Sequence, residues 1–276
     1  MKVAVLGVGL VGGSIGLAAR QRAGAGVCGY DADPQARDAA LASGAIDEQA
    51  ADIAAAVRGA QVVFAATPVG ALAQTVREAL AHAQRDCVVS DVGSTKLALD
   101  DARGDPRFVG GHPLAGAQSA GVANARSDLF AGATWFLTPA PSADAALYGR
   151  LRELIERFGA HPVAIEADAH DRLMACVSHL PHVLANVLAA QAAGAFAREG
   201  AAPAAGPSLS DAIRVAGANT AIWTDIYLAN RDAVLEAIDE AVGRLRDVRG
   251  ALAAADAQAL AAWNEQAGAA RKALLG

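Results

Sequence analysis

One histidine stands directly after two glycines in the stretch FVGGHPLAGAQSAG, residues 108–121. Gly110 and Gly111 are expected to end a strand and to leave room beside the backbone, while Pro113 stiffens the exit. A neutral imidazole in such an open position can accept a proton near pH 7. His112 could equally be the polar end of a strand, and these residues alone leave both interpretations open.

Ser94 is a second candidate for chemistry. It ends the apolar pattern DCVVSDVGS of residues 86–94, which predicts a strand followed by a small, polar turn. Its hydroxyl could cap the following helix, or it could face the same site as His112. In a parallel sheet ligands bind outside the carboxyl ends of the strands, so we expect the two side chains to converge there.

Two histidines of the second half, His179 and His182, share one face of a predicted helix. Such a pair could suggest a metal. However, no carboxylate or cysteine stands at a matching position, and Pro181 distorts the turn, so we predict no metal site.

Arg214 is an isolated cation in an apolar stretch that predicts helix, and Trp223 follows nine residues later. A guanidinium in such surroundings needs an anionic partner. Two partners are open at this point: a carboxylate of a bound substrate, or a carboxylate of the chain itself.

The N-terminal strand pattern leads into GVGLVGGS, with Gly7, Gly9 and Gly12 in G-x-G-x-x-G register. The first glycine permits a tight turn, the second lets a pyrophosphate approach the backbone, and the third lets helix and strand pack closely. The helix N-terminus attracts the phosphates. The predicted cofactor-binding residues of this turn are Gly7, Gly9, Leu10, Val11 and Gly12. A glycine-rich turn without a ligand is the alternative.

Asp31 ends the second predicted strand and can accept hydrogen bonds from both ribose hydroxyls, which favours NAD over NADP. Asp33 is a rival for that role, but its place before Pro34 predicts a helix cap. Thr67 and Pro68 follow the next strand and are expected either to face the cofactor or to form a simple turn.

The elements that must position these residues alternate between strand and helix in the first half. Strands are predicted at residues 2–7, 26–31, 61–68, 86–94, 107–113, 134–139 and 161–165. This alternation predicts an α/β Rossmann-like domain with a mostly parallel, doubly wound sheet. From residue 168 onward the pattern predicts only helices, so we expect domains at 1–166 and 167–276. Ser208 or Ser210 is expected to cap a helix after a linker at 200–207.

Composition narrows the class of protein. Of the 276 residues, 54% are hydrophobic and 19% charged, which suits a large core and apolar helices that pack on a second subunit. The net charge of −6 argues against a nucleic-acid partner. The apolar N-terminus is interrupted by glycines, so no membrane partner is expected. Cys28 and Cys87 lie in predicted strands, which indicates buried free thiols and a cytoplasmic location.

Taken together, five motifs in this order resemble the prephenate/arogenate (cyclohexadienyl) dehydrogenase family of tyrosine biosynthesis. They are GLVGGS, DVGSTK, GGHPLAG, SHLPH and the run R…W.DI.L.N, and they span nearly the whole chain. The resemblance implies an NAD-binding domain, a helical dimerisation domain and a small-molecule substrate in the cleft between them. No strand-rich regulatory segment follows the helical half, so any feedback by tyrosine is expected to act at the active site.

The resemblance also implies a reaction. NAD+ takes a hydride from the carbon that bears the 4-hydroxyl of prephenate, CO2 leaves, and the ring becomes aromatic. His112 matches the catalytic histidine that accepts the hydroxyl proton, and Ser94 matches a serine that hydrogen-bonds that histidine or the hydroxyl.

For the helical half the resemblance implies substrate contacts. His182 matches a histidine that lines the substrate pocket, and His179 is expected to pack beside it. Arg214 matches the arginine that binds a substrate carboxylate, and Trp223 matches a pocket tryptophan that the partner subunit can supply. Some relatives carry an acidic residue where this chain has Gln118. A glutamine does not attract the amino group of arogenate, so prephenate is the expected substrate; arogenate as an additional substrate, and an arogenate-specific dehydrogenase, are the alternatives.

Two other functions fit part of the sequence. A β-hydroxyacid dehydrogenase or pyrroline-5-carboxylate reductase would use a lysine or a hydroxyl of the helical half, where Lys272 is the one lysine present. A non-catalytic NAD(H)-binding module would keep the glycines and Asp31, but it would not need His112, Ser94 and Arg214 together.

Overall fold

The computed structural model describes residues 1–116 and 121–276. Within these residues lies an eight-stranded sheet of order β3-β2-β1-β4-β5-β6-β7-β8. Its strands are β1 (Lys2–Leu6), β2 (Gly26–Tyr30), β3 (Glu48–Gln49), β4 (Val62–Ala65), β5 (Val88–Asp91), β6 (Phe108–Pro113), β7 (Thr134–Pro139) and β8 (His161–Ala164). Neighbouring strands pair in parallel except β6 with β7. The predicted fold class is confirmed, and the antiparallel pair and the short β3 are additions to it.

Helices connect the strands and then make up the rest of the chain. The first group is α1 (Leu10–Ala23), α2 (Pro34–Ala42), α3 (Ile53–Val57), α4 (Val69–His82) and α5 (Ala145–Arg157). The second group is α6 (Ala167–Met174), α7 (Leu180–Glu199), α8 (Pro207–Ala212), α9 (Thr220–Ala229), α10 (Arg231–Ala253) and α11 (Ala257–Leu275). A π-helical turn, Ala175–His179, joins α6 to α7, and a 3-10 helix, Leu97–Gly104, follows β5.

Two helix N-caps were predicted from the sequence, and the structure confirms one of them. Asp33 accepts a hydrogen bond from the Gln35 backbone N–H at 2.9 Å and caps α2, as predicted. The expected cap at Ser208 or Ser210 is wrong, because α8 begins at Pro207 after Gly206 and has no side-chain cap. Proline already supplies the backbone angle of a first helical residue, so the helix starts before either serine.

By internal contacts the chain forms two compact units, Met1–Asn230 and Arg231–Gly276, and the second consists of α10 and α11. All the candidate site residues belong to the first unit. The division of the chain at residues 166 and 167 stays a prediction.

The core has two layers because side chains alternate along each strand. Val3 and Val5 of β1 belong to the cluster beneath α1 and α5, whereas Ala4 and Leu6 belong to the cluster beneath α3 and α4. The first cluster includes the mutually packed aromatic rings of Phe64, Phe130, Trp135 and Phe158. Both faces of the sheet are therefore covered, and chemistry is confined to its edges and strand ends.

The two glycines before His112 have a different role from the expected one. Gly110 and Gly111 do not end the strand, because β6 continues through Pro113 and pairs His112 with Phe136 of β7. A Cβ at Gly111 would lie 2.6 Å from the Asp91 carbonyl oxygen, and one at Gly110 would overlap the Thr138 hydroxyl. These glycines let β6 pack closely against its surroundings, and His112 is held by an antiparallel ladder.

The continuous helical segment Ala167–Glu199 is the single one, among the described residues, long and apolar enough by composition to cross a membrane. Its most apolar window has a mean hydropathy of 1.5 and is 22% buried. Exposed apolar residues such as Val187 and Leu188 of α7 account for much of this character. The same pattern is typical of a helix that packs against a partner chain, so length and composition alone do not indicate a membrane span.

Gly12 lies in the first turn of α1, where the helix packs closely against the glycine-rich turn before it. A Cβ at this position would overlap the Gly7 carbonyl oxygen, whereas one at Gly9 meets nothing within 4 Å. We expect Gly12→Ala to lower the free energy of unfolding by about 3 kcal/mol. The matched change Gly9→Ala should cost less than about 1 kcal/mol. Chemical denaturation followed by circular dichroism measures both, and similar losses in the two variants would contradict the close packing.

Candidate active site

The predicted residues of the first half gather at one edge of the sheet. Strands β1, β2, β4, β5 and β6 are parallel, so their carboxyl ends lie side by side. Gly7, Asp31, Thr67 and Ser94 follow the ends of the first four, and His112 is the second-last residue of β6. The topology therefore brings to one edge residues that are up to 105 positions apart, from Gly7 to His112.

The glycine-rich turn has the shape that a pyrophosphate requires. Gly7 has φ of +94°, and a Cβ there would lie 2.6 Å from the Ala66 carbonyl oxygen. Gly9 precedes α1 with open space around it, and α1 has no acidic residue in its first turn. Leu10 and Val11 are half-buried at the first two helical positions. The exposed helix N–H groups and the open glycine fit a dinucleotide phosphate.

Asp31 is tied to this turn. Its Oδ2 accepts a hydrogen bond from the Val8 N–H at 2.9 Å, and its Oδ1 accepts one from the Asp33 N–H at 3.0 Å. The carboxylate is only half-buried, so it can still receive hydroxyl donors from outside. It therefore fixes the glycine-rich turn at the carboxyl ends of β1 and β2.

Thr67 and Pro68 lie between β4 and α4. The Thr67 hydroxyl hydrogen-bonds the Thr75 hydroxyl at 3.2 Å, and Pro68 immediately precedes α4. In the first turn of α4, the Gly70 N–H donates to Asp225 Oδ2 of α9 at 3.2 Å. Asp225 thus anchors α9 beside the expected cofactor turn, and sequence reasoning missed it.

A buried ion pair fixes the loop that carries Ser94. Lys96 Nζ pairs with the Asp91 carboxylate and donates to the Gly111 carbonyl oxygen, and the two charged side chains are 1% and 0% exposed. Asp91 also accepts the Gly111 N–H at 3.0 Å and the Gly93 N–H at 2.8 Å. Burial lowers the pKa of Lys96, while the Asp91 charge opposes that lowering.

Ser94 lies half-buried in this loop. Ser94 does not cap a helix. The following 3-10 helix begins at Leu97, and the side chain at its N-cap position makes no capping hydrogen bond. Instead the carboxylate of Asp171 on α6 accepts the N–H groups of Lys96 at 2.8 Å and Leu97 at 2.9 Å. Asp171 of the helical segment therefore caps this 3-10 helix, which is the role that was one of the two expectations for Ser94.

His112 makes an unexpected partnership. Its Nδ1 lies 2.9 Å from Nε2 of His170 on α6, and His170 Nδ1 lies 2.7 Å from Oδ1 of Asp171. The His112 and His170 rings meet edge to face, with centroids 5.1 Å apart. Burial lowers the pKa of His112 well below its usual range, and the Lys96 cation lowers it further. These effects favour the neutral form of the ring.

His179 and His182 do not act as an equivalent pair. His179 ends the π-helical turn, is 1% exposed and hydrogen-bonds the Asn230 side chain at 3.1 Å. Burial lowers its pKa to about 4, although the Asp171 charge opposes this, and its Nε2 has no partner in the described part of the chain. His182 is half-buried on α7, and its Nδ1 contacts the Ser178 carbonyl oxygen at 3.0 Å.

Trp223 joins these two histidines. Its ring stacks on His182 with centroids 3.5 Å apart and meets the His179 ring edge to face at 6.0 Å. The Tyr227 ring also packs on Trp223, with centroids 5.5 Å apart, and the Tyr227 hydroxyl is buried without a partner among the described residues. Trp223 therefore contacts the histidines of its own chain, and an unpaired hydroxyl and an unpaired imidazole nitrogen lie in the same aromatic cluster.

Within the described residues, Arg214 makes no ion pair or ring contact with this cluster. The expectation of a helix through Arg214 is wrong, because α8 ends at Ala212 and α9 begins at Thr220. Arg214 lies exposed in the turn between them, and residues 1–116 and 121–276 supply no carboxylate partner for it. Gly217 of the same turn donates to the Asn186 side chain of α7 at 3.0 Å, which holds the turn against α7.

Two further points complete the inventory of the site. Gln118 lies outside the described residues. Across residues 1–116 and 121–276 there is no group of three or more His, Cys, Asp or Glu side chains that could hold a metal ion.

Two family models match consecutive parts of the chain. Residues 15–164 match the model described as "Prephenate dehydrogenase, nucleotide-binding domain", and residues 166–266 match "Prephenate dehydrogenase, dimerization domain". The prephenate dehydrogenase of Bacillus subtilis is 34% identical over 271 residues, which are 94% of this chain and 72% of that protein. The chain belongs to the prephenate dehydrogenase family. The resemblance of the five motifs to this family is thereby confirmed.

Solved structures of the family have the same fold. Prephenate dehydrogenase from Aquifex aeolicus, in complex with hydroxyphenyl propionate and NAD+, has a TM-score of 0.89 and 26% identity over 99% of this chain and 98% of that one. Arogenate dehydrogenase from Synechocystis has a TM-score of 0.86 and 26% identity, with both chains fully covered.

Sequence reasoning missed four residues that shape this prephenate dehydrogenase site: Lys96, His170, Asp171 and Asp225. Lys96 stands in the quoted motif DVGSTK, where a charge inside an apolar region is a signal of pairing. His170 and Asp171 lie in the segment DAHDR, whose polar composition is typical of an exposed helix turn. Nothing local to that segment reveals that both side chains are buried.

The buried ion pair yields a stability prediction. Lys96→Met leaves the Asp91 carboxylate buried without its cation, so we expect the free energy of unfolding to fall by about 3–5 kcal/mol. The matched change Lys2→Met breaks an exposed pair with Glu48, 3.8 Å apart, and should cost less than about 1 kcal/mol. Urea denaturation compares the two, and an equally small loss at Lys96 would contradict its role.

Proposed function

We propose that this chain oxidises and decarboxylates prephenate with NAD+, giving 4-hydroxyphenylpyruvate, CO2 and NADH. The observation that carries the proposal is the place of the half-buried His112 near the carboxyl end of β6, at the sheet edge that also bears the glycine-rich turn, with a pKa that burial lowers. Oxidation of the 4-hydroxyl to a carbonyl requires loss of its proton, and a neutral imidazole accepts it. Loss of CO2 then makes the ring aromatic, which drives the reaction forward.

The cofactor is held by the glycine turn and its neighbours. The backbone of α1's first turn faces the pyrophosphate, Asp31 receives the ribose hydroxyls, and Thr67 with Pro68 borders the same edge. The residues that carry this assignment are Gly7, Gly9, Leu10, Val11, Gly12, Asp31, Thr67 and Pro68. NAD+, when bound, supplies the acceptor for the hydride.

His112 is the proposed base, and Ser94 is proposed to hydrogen-bond the same hydroxyl from the neighbouring loop. β5 and β6 are adjacent, so a loop after β5 borders the end of β6. Burial of His112 keeps its imidazole unprotonated near pH 7, which is the state that a base needs.

The substrate is proposed to lie against the aromatic cluster of His179, His182, Trp223 and Tyr227. The unpaired Nε2 of His179 and hydroxyl of Tyr227 are polar groups that a bound anion or hydroxyl can satisfy. Arg214 is proposed to bind a carboxylate of the substrate. Its exposure and its lack of a carboxylate partner in the described residues leave its guanidinium available.

Prephenate is the proposed substrate because Gln118 offers no negative charge to the amino group of arogenate. Arogenate is the second candidate, since the Synechocystis arogenate dehydrogenase shares the fold over the full length of this chain.

We also propose that the enzyme is a homodimer through its helical half. The match to the family's dimerization domain supports this, as do exposed apolar side chains such as Ile222 and Leu228 on α9. The buried free thiols of Cys28 and Cys87, which were predicted correctly, suit the reducing cytoplasm.

The base is tested by His112→Asn. With prephenate and NAD+ we expect kcat/KM to fall by about 10²-fold or more, because the proton has no acceptor. The exposed His161→Asn is the matched control and should leave the rate unchanged. The absorbance of NADH or NADPH is recorded with prephenate and with arogenate, each in the presence of NAD+ or of NADP+. Turnover of arogenate alone would contradict the substrate proposal, and near wild-type turnover by His112→Asn would contradict the base.

The carboxylate contact is tested by Arg214→Gln. Loss of a charge-assisted hydrogen bond should raise KM for prephenate by about 10- to 100-fold and leave KM for NAD+ unchanged. Arg198→Gln, at another exposed arginine, is the control and should alter neither constant. An unchanged KM for prephenate in Arg214→Gln would contradict the assignment.

A further inference from the structure

Three side chains, His112, His170 and Asp171, form a hydrogen-bonded chain that leads from the site into the interior. His112 Nδ1 contacts His170 Nε2 at 2.9 Å, and His170 Nδ1 contacts Asp171 Oδ1 at 2.7 Å. His170 is 0% exposed and Asp171 is 1% exposed, so water does not compete for these contacts. The chain joins β6 of the sheet to α6 of the helical segment.

The other hydrogen bonds of Asp171 indicate which atom donates and which accepts in this hydrogen-bonded chain. Its carboxylate oxygens also receive the backbone N–H groups of Lys96 and Leu97, which can only donate. The carboxylate is therefore the acceptor, and His170 carries its proton on Nδ1. In a neutral imidazole the other nitrogen then has a lone pair, so His170 Nε2 accepts and His112 Nδ1 donates.

We infer that His170 and Asp171 are positioning residues that hold His112 in the tautomer with its proton on Nδ1 and with Nε2 free to accept one. This inference rests on the proposed function, in which His112 is the base. Without these hydrogen bonds, His112 could place its proton on either nitrogen, and the form with Nε2–H cannot accept a proton at Nε2.

The surrounding contacts keep this arrangement rigid. The Phe136 ring packs edge to face on His170 with centroids 5.6 Å apart, and the Asn230 side chain donates to the Asp171 carbonyl oxygen at 2.8 Å. A rotated His170 ring would lose a hydrogen bond in a dry environment, which is costly. The His112 ring therefore keeps one orientation.

The chain also stabilises the protonated base. When the substrate hydroxyl gives its proton to Nε2, His112 becomes an imidazolium whose Nδ1–H remains donated to His170. The buried Lys96 cation disfavours that charge, while the Asp171 carboxylate, behind His170, favours it. Asp171 therefore offsets the cost of a positive ring during the reaction, as in a Ser-His-Asp triad.

The tautomer is measured directly, without turnover, in the full-length protein. Protein labelled with ¹⁵N-histidine gives long-range ¹H–¹⁵N spectra, in which loss of a signal in His112→Asn assigns His112. We expect wild-type His112 to show a protonated Nδ1 and an unprotonated Nε2. In Asp171→Asn the amide can donate to His170 Nδ1, so a measurable fraction of His112 should change to the Nε2–H form. Wild-type His112 with Nε2–H would overturn the inference.

Kinetics then separates positioning from structure. We expect His170→Phe, which keeps a ring beside Phe136 but removes both hydrogen bonds, to lower kcat with prephenate by roughly 10²-fold. KM for prephenate and NAD+ should change less than about twofold, because neither ligand is proposed to contact His170. His170→Gln places an amide oxygen near the position of the His170 Nε2 acceptor, so its kcat should be at least about tenfold higher than that of His170→Phe.

The controls distinguish the possible failures. His161→Gln, at an exposed histidine, should match the wild type. If the wild-type enzyme does not turn over prephenate, the proposed function fails, while the spectra still test the tautomer. If the wild type is active and His170→Phe keeps its kcat, or loses activity only through KM or thermal stability, the positioning role is refuted. Should His170→Phe not fold, His170→Gln and Asp171→Asn carry the same comparison.

Discussion

One buried cation, Lys96, constrains the carboxyl ends of β5 and β6. Its Nζ contacts the Asp91 carboxylate of β5 and the Gly111 carbonyl oxygen of β6. Its backbone N–H is held in turn by Asp171 of α6. The sheet, the loop after β5 and the helical segment therefore meet at a single residue, and loss of any of these contacts would leave a buried polar or charged group without its partner.

The same physical device joins the helical segment to the sheet at two places. Asp171 accepts the N–H groups at the start of the 3-10 helix after β5, and Asp225 accepts an N–H in the first turn of α4 after β4. Helix starts carry unpaired N–H donors and a partial positive charge, so a carboxylate from another element is well suited to hold them. Two carboxylates thus place α6 and α9 against the strand ends that carry the proposed cofactor site and the proposed base.

A dry environment gives the histidines their chemistry. Desolvation lowers the pKa of half-buried His112 and lowers that of buried His179 to about 4, so the first is neutral in its proposed role as a base and the second offers a neutral polar nitrogen. The energetic cost of charging His112 in this environment is what makes Asp171 useful behind it. The aromatic cluster around Trp223 extends the same dry surface toward the proposed substrate.

Local signals in the sequence were enough to predict the fold class, the glycine-rich turn after β1, the cap at Asp33, the buried thiols and the family. These follow from signals that are local: strand periodicity, glycine spacing and the order of short motifs. Only the tertiary structure decided that Gly110 and Gly111 lie within β6, that Arg214 lies in a turn, and that Asp171 rather than Ser94 caps the loop. It also decided that His170 meets His112, 58 positions away. Such a pairing depends on how a helix packs on a strand end, and local sequence signals carry no information on contacts at that separation.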